Sequence, residues 1–450
     1  MSILDCPLPR DWKRLPISAK YRITKKPRGL TPDPEMSLPF IPMEMVPAGG
    51  QTACSHELRK PAAISSGTYF EAGDVLLSKI TPSFENGKQG MASNLPAAFG
   101  YGSTEIIPIQ ASTNDAINLY LFYLLLDHEV RVSLTGKMEG STGRKRVPEG
   151  AVRELEIPVP PKAEQEKIAA ILWKLQRAIA TQDRLLKATA DLKQSAMQRL
   201  FTHGLRGEPL KDTEIGPVPE SWSALRLDSC CDVLSSRLSY TDLAGSDNSD
   251  DEEAVLVHGV KVSDMNLPGN ELQFCVVNLS RRMGLTTAEK RAIPPSTVVF
   301  PKRGAAIATN KKRLTTTWTV LDPNLIGVRA RAGLDTGYLR QWFEQFDLRT
   351  ITEPGPTPQL NKKNLTPLLL PIPSTESEQR DIATTLATID RKLAHHRAKR
   401  AALDALFQTT LHQLMTAQVR VADLDIDTSE VCDRRPGNPA RARNRRQAGS

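Results

Sequence analysis

Cysteine is scarce in this 450-residue chain: six residues, at 6, 54, 230, 231, 275 and 432, form no C-x-x-C spacing. The adjacent pair Cys230-Cys231 is a poor start to a disulfide framework, so reduced thiols are expected. No uninterrupted apolar run approaches the roughly 18 to 20 residues that a membrane-crossing helix needs. The opening Met1-Ser2-Ile3-Leu4-Asp5-Cys6-Pro7 leads to Asp11-Trp12-Lys13-Arg14, which has the pattern of neither a secretion signal nor a transit peptide, and a cytoplasmic protein is expected. Catalytic signatures are also missing. Gly87-Lys88 lacks the upstream glycine of a phosphate loop, which argues against ATP hydrolysis, and no G-x-G-x-x-G follows a strand. In His56-Glu57-Leu58-Arg59-Lys60 a lysine stands where a zinc protease motif needs its second ligand, and an ammonium cannot bind metal. The remaining histidines, at 128, 203, 258, 395, 396 and 412, show no ligand spacing beyond the adjacent pair, so no metal site is expected. DNA amino-methyltransferases carry an (Asp/Asn)-Pro-Pro-(Tyr/Phe) loop; Ile293-Pro294-Pro295-Ser296 and Val159-Pro160-Pro161-Lys162 supply neither the polar first residue nor the aromatic last one. Nuclease carboxylate clusters have too little signature to be excluded in this way.

What is present is length, positive charge and repetition. A chain this long exceeds what one core organises, and two or more domains are expected. Against 51 Asp and Glu stand 59 Lys and Arg, giving a net charge of +8 and a pI near 9.1, which points to a polyanionic partner, with nucleic acid the leading candidate.

Ala163-Glu164-Gln165-Glu166-Lys167-Ile168-Ala169 recurs as Ser377-Glu378-Gln379-Arg380-Asp381-Ile382-Ala383, an offset of 214 residues. Each copy follows a proline-punctuated strand end, Glu156-Ile157-Pro158-Val159-Pro160-Pro161 or Leu370-Pro371-Ile372-Pro373. Upstream, Pro9-Arg10-Asp11-Trp12 is echoed by Pro219-Glu220-Ser221-Trp222, and Val75-Leu76-Leu77-Ser78-Lys79 by Val298-Val299-Phe300-Pro301-Lys302. Four pairs in one order describe a single plan used twice: a mixed domain, then a long helix. In the second helix Ile382, Leu386, Ile389, Leu393, Leu403, Phe407 and Leu414 recur at alternating steps of four and three, with His396, Arg400 and Thr410 between. Carried back by 214 residues, the seam becomes Ile168, Leu172, Leu175, Ile179, Gln182, Leu186, Thr189, Lys193, Ala196 and Leu200. One narrow seam on each helix suits two helices pairing antiparallel along their length; the alternative is that each packs on its own domain.

Short β-like runs precede each helix, at 75–77, 106–109, 298–300 and 325–328, and helical stretches are expected around 116–126 and 338–346. Each half is therefore α+β. Residues 247–253 and the Arg-rich tail, 418–450, read as disordered.

The two proline-to-helix junctions, each closing a half that opens on Trp12 or Trp222, and Gly216-Pro217-Val218-Pro219-Glu220-Ser221-Trp222 resemble the specificity subunits of type I restriction-modification systems. The resemblance runs from residue 1 to about 420. It implies an α+β fold of two tandem target recognition domains, 1–157 and 208–370, separated by two long antiparallel helices, 158–207 and 371–417, in a pseudo-twofold arrangement. It also implies double-stranded DNA as ligand, two methyltransferase subunits docked on the helices, and a motor-nuclease subunit that joins some complexes. S-adenosylmethionine, ATP and magnesium are then expected on those partners and no cofactor on this chain. In such a frame the reading side chains are expected on two loops per half, where Lys or Arg suits phosphates and guanine edges and Asn or Gln suits adenine. The first half offers Lys79, Asn86, Lys88 and Gln89, with Ser141, Thr142, Arg144, Lys145 and Arg146. The second offers Lys302, Arg303, Asn310, Lys311, Lys312 and Arg313, with Thr357, Gln359, Asn361, Lys362 and Lys363. Two other functions stay open: a restriction nuclease with an unrecognised active site, and the DNA-reading adaptor of a modification-only system.

Overall fold

The structure, a computed structural model, describes residues 3–141, 143–249, 252–353, 355 and 358–432. The chain condenses into two compact units, residues 1–185 with 397–450 and residues 186–396. This division cuts across the sequential one, because each unit takes one half of each long helix rather than one domain and its own helix.

In the first unit a four-stranded antiparallel sheet runs Tyr21–Ile23, Ile106–Ala111, Val75–Ser78, Gln89–Met91. Its central strand is buried on both faces, which explains the unbroken apolar run in place of an alternating one. Successive side chains of a strand point to opposite faces. Val75 and Leu77 accordingly enter a helical core with Trp12, Tyr120 and Leu172, while Leu76 enters a separate core with Ile41, Val46 and Phe70. That second core is covered by another sheet, Glu57–Arg59, Leu38–Ile41, Phe99–Gly102, Thr68–Glu71, in which Leu38–Ile41 and Phe99–Gly102 are parallel.

The second unit repeats this plan. Cys231–Leu234, Leu325–Ala330, Thr297–Pro301 and Arg313–Leu314 form the four-stranded sheet. Val298 and Phe300 face a helical core with Trp222 and Leu386, and Val299 faces the opposite core with Val260 and Phe274. Its covering sheet has three strands, Leu279–Met283, Val255–Val260 and Trp318–Leu321, again with one parallel pair. The expected helical stretches are Asn118–Leu124 and Thr336–Gln345.

The long helices span Lys162–His203 and Glu376–Met415. The glutamine of each repeated motif fastens the helix start to its unit. Gln165 donates to Pro160 O at 2.9 Å and Asp115 O at 3.0 Å and accepts from Ile117 N at 3.1 Å. Gln379 does the same with Pro373 O, Gly333 O and Asp335 N. A tyrosine hydroxyl then seals each strand before the helix, Tyr120 to Pro158 O at 2.8 Å and Tyr338 to Pro371 O at 2.5 Å.

The seam is the covered side of both helices: Leu175, Ile179, Leu186, Ile389 and Leu403 are half-buried, and Ile168, Leu172, Leu200, Ile382, Leu386, Leu393, Phe407 and Leu414 are buried. The two expectations for it turn out to be compatible. In the first unit Ile168 and Leu172 pack in the unit's own core together with Phe407, Leu411 and Leu414 from the other helix, and Arg400 bonds Asp183 at 3.2 Å. In the second, Met197, Leu200 and Phe201 share a core with Ile382 and Leu386, and Lys193 reaches Asp390 at 2.7 Å. Both stretches are antiparallel. A fully buried Leu or Ile contributes about 1.5–3 kcal/mol, so a few per unit suffice to hold the pairing.

The polar breaks in the seam are ionic. Asp390 takes Lys193, Arg340 Nη2 at 2.7 Å and Gln341 Nε2 at 2.8 Å, all nearly hidden from solvent. Burial alone would raise its carboxyl; the Lys193 ammonium, with Gln341 and Arg340, outweighs that and holds it below the usual carboxylate range.

A pair of arginines closes the helix ends. Arg420, beyond the second helix, bonds Glu164 at 2.8 and 2.9 Å and Asp11 at 2.6 Å, while Trp12 Nε1 donates to Glu164 at 2.9 Å. Burial would raise Glu164, but Arg420 and then Trp12 keep it below its ordinary value. Arg206, 214 residues earlier, approaches Glu378 at 3.4 Å in the second unit. Between the helix and Arg206, Gly204 adopts φ +62°, and a Cβ there would stand 3.0 Å from Trp222 and from Glu378.

Two segments depart from the disorder read in the sequence. Residues 418–432 are placed: Val421 is buried in the first core and Glu430 bonds Trp173 and Arg177. Ion pairs and two valines, Val421 and Val431, anchor a stretch whose composition looks solvated. The Arg-rich part, 433–450, lies outside the described residues, as do Asp250 and Asp251 of the acidic loop. The loop's first flank is fastened to Leu279–Met283, with Arg282 N donating to Asn248 Oδ1 at 2.8 Å.

Candidate nucleic-acid interface

In the first unit, strand Val75–Ser78 runs out into residues 79–89, and residues 139–146 come back beside it. Val147 N donates to Lys79 O at 2.8 Å and Thr81 N to Lys145 O at 3.0 Å. Glu139 and Arg146 then exchange backbone bonds at 2.9 and 2.8 Å and close the returning loop. The second unit reproduces each step: Leu360 N to Lys302 O at 2.9 Å, Gly304 N to Pro358 O at 2.8 Å, and Glu353 N to Gln359 O at 3.0 Å. The two loops named for each half are thus brought together at the same end of the same sheet.

Within them the side chains divide. Asn86, Ser141, Arg144, Lys145, Arg303, Gln359 and Lys362 are exposed, and Lys79 and Lys302 are half-buried. Arg146 and Lys363 are exposed but engaged: Arg146 grips Glu105 through two nitrogens, at 2.9 and 2.7 Å, and Lys363 bonds Glu353 at 2.7 Å. Arg146 holds the Glu105 carboxyl below its usual range. Lys311 donates to Asn266 Oδ1. Thr142 and Thr357 lie outside the described residues.

Six expected contact residues prove to be scaffold. Gln89 is fully buried, donating to Phe122 O at 2.6 Å and accepting from Arg131 Nη2 at 2.5 Å. Lys88 turns its ammonium to Met43 O at 3.0 Å. Lys312 is 1% exposed and caps Phe346 O at 2.8 Å; burial pushes its ammonium down to about 8. Arg313 spends its guanidinium on Lys312 O and Met265 O, and burial lowers its pKa. Asn310 sits at φ +51° and bonds Phe346 O and Leu348 N. Asn361 caps the short helix Lys362–Leu365, its backbone N bonded to Asn364 Oδ1 at 2.8 Å. Polar side chains at a sheet end satisfy backbone groups that the loops would otherwise leave unpaired, and composition cannot separate that task from DNA contact.

Arg131, which sequence reasoning missed, supports the first loop from below. Its Nη1 donates to Phe84 O at 2.6 Å, its Nη2 to Gln89 Oε1 at 2.5 Å, and its guanidinium lies 5.2 Å from the centre of the Phe84 ring. Burial lowers its pKa to about 10. No motif marks it. Arg206 and Arg420, by contrast, share the repeat's own offset of 214 and were detectable.

Residues 57–188 match the family model described as the type I restriction modification DNA specificity domain. Over this stretch the chain is similar to the type I specificity subunits. Among its relatives, the type I restriction enzyme EcoEI specificity subunit of Escherichia coli is 29% identical over 224 residues, 49% of this chain and 34% of the relative. The EcoAI specificity subunit, also of Escherichia coli, is 32% identical over 193 residues, 42% of this chain and 30% of that protein. The matched stretches therefore span about a third of these relatives' own length. In fold, the chain is similar to the type I restriction-modification S subunit from M. genitalium, with a TM-score of 0.55 at 12% identity, covering 90% of this chain and 96% of that one.

Proposed function

We propose that this chain is the DNA-reading subunit of a type I restriction-modification complex, recognising a bipartite double-stranded target with one loop pair per unit. The observation that carries it is the paired loop platform, built twice with matching backbone bonds and presenting Arg144, Lys145 and Asn86 in one unit and Arg303, Gln359 and Lys362 in the other. Cations on phosphates supply affinity and register, and amide side chains at base edges supply sequence. Methyltransferase subunits dock on the long helices and bring S-adenosylmethionine; a motor-nuclease subunit, where present, brings ATP and magnesium chemistry. This chain performs no catalysis of its own.

Replacing residues 20–150 with the matching segment of a related subunit tests the reading. Methylome sequencing should show one half of the target changed and the other intact; two changed halves would overturn it. Turnover by the isolated chain, abolished by a point substitution within it, would overturn its adaptor role.

A further inference from the structure

Beside the second unit's loop platform lies a cavity of about 270 Å3, lined by Ser235, Ser236, Arg237, Ser239, Lys302 and Asp322. Since a water's share of liquid is about 30 Å3, the space admits a phosphate group with several waters. The hydroxyls of Ser236 and Ser239 are already occupied, by Leu321 and by Asp242 N. Ser235, Arg237 and Lys302 have no side-chain hydrogen bond or ion pair among the described residues, and Asp322 is turned to Asn324 N at 2.7 Å.

We propose that this cavity takes one phosphate of the DNA backbone, held by Arg237 and Lys302 with the Ser235 hydroxyl, and anchors the second unit's reading loops without regard to sequence. The inference rests on the DNA-reading function proposed above. Lys302 is positioned for it by its backbone, its N bonded to Asn324 O at 2.8 Å and its O to Leu360 N at 2.9 Å. Its ammonium is held below the ordinary lysine range chiefly by burial, with the neighbouring Arg303 adding to this and Asp322 opposing it. Among the described residues of the first unit, the corresponding place is arranged differently. Its corresponding segment, after strand Tyr21–Ile23, lines a smaller cavity of about 170 Å3, where Lys25 is paired with Glu149 at 3.0 Å and Lys26 leans toward the Tyr101 ring.

The test uses the full chain. Lysine acetylation is followed by mass spectrometry for the free protein, with duplex DNA, and with inorganic phosphate at constant ionic strength. DNA should protect Lys302 several-fold and leave Lys25 labelled. Protection by phosphate but not by DNA would overturn the backbone assignment in favour of a free-anion site, and protection by neither would overturn the cavity as an anion site. The Arg237→Gln, Lys302→Gln double variant should flatten the log-log salt dependence of DNA binding by about one unit, the value for a single shared phosphate. Between 50 and 200 mM salt its affinity should then fall by about three- to fourfold less than that of the unaltered chain. Lys25→Gln should leave the slope unchanged. An unchanged slope in the double variant, with the unaltered chain still selecting its target, refutes the anchor alone; a chain with no sequence preference refutes the DNA-reading function instead.

Discussion

Replacing Arg131 with methionine separates the folding of the first unit from the order of its reading loop. The guanidinium is 7% exposed and has no carboxylate partner among the described residues. Burial lowers its pKa to about 10, which corresponds to a cost of about 3 kcal/mol for keeping the charge in place. Methionine removes that cost and fills a similar volume. It also leaves Phe84 O and Gln89 Oε1 without their donor, at about 1–3 kcal/mol for each buried acceptor. The two effects largely offset, and the expected net destabilisation is about 1–2 kcal/mol out of a total of about 5–15. The protein should fold. The loop, however, loses both bonds that tie its middle and its far end to the helix His128–Thr135. Hydrogen exchange at residues 84–89 should quicken several-fold while exchange in strand Val75–Ser78 is unchanged, and under the proposed DNA-reading function one half of the target should lose definition in methylation mapping. Arg131→Lys, able to reach one acceptor, should fall between. Unaltered exchange at 84–89 with unaltered target definition would refute the argument that Arg131 positions the loop.

Arg144→Ala with Lys145→Ala should weaken DNA binding and flatten its log-log salt slope by about one unit per lost phosphate contact; filter binding across a salt series that gives one common slope would remove this loop from the interface. Asp390→Ala leaves Lys193 and Arg340 buried beside each other and should cost about 3–5 kcal/mol in denaturant unfolding. Because the folded-state carboxyl of Asp390 lies below its unfolded value of 3.8, the stability it provides is complete above that pH and is lost as pH falls through the lower folded value. The gap between unaltered chain and variant should therefore close on acidification, and a gap that widened would contradict the pairing. Arg420→Ala should cost about 2–3 kcal/mol, since it strips a buried glutamate of its main cation, whereas Arg206→Ala, with its longer approach to Glu378, should cost less than about 1 kcal/mol by the same unfolding assay. Equal losses in the two variants would mean that the clasp geometry does not set its strength.

Features with a short period were legible in the sequence. The run Val75-Leu76-Leu77 and its echo Val298-Val299-Phe300 are central strands because a segment buried on both faces must be apolar throughout. The seam from Ile168 to Leu200, carried forward by 214 residues to Ile382 and Leu414, is the buried side of two helices because a stripe at steps of three and four has only one face to hide. The loops at 79–89 and 302–313 were found as loops for the same local reason: each follows an identifiable strand end.

Which side chain within a loop faces solvent was not legible. Lys312 and Lys362 are both lysines near a sheet end, yet Lys312 lies under Phe346 and Lys362 stands in water. That difference depends on one backbone carbonyl, Phe346 O, contributed by a segment more than thirty residues away. Gln89 is fixed by Phe122 O and Arg131, and Val421 is held in the core alongside a glutamate 257 residues earlier in the chain. The sequence alone determined the duplication, the α+β class, the helix seam and the resemblance to type I specificity subunits, because repeats and periodicities are properties of neighbours in the chain. Tertiary structure alone decided the partition of the helices between two units and the sorting of polar residues into scaffold and surface, because burial and hydrogen-bond satisfaction are set by groups that only folding brings within 3 Å.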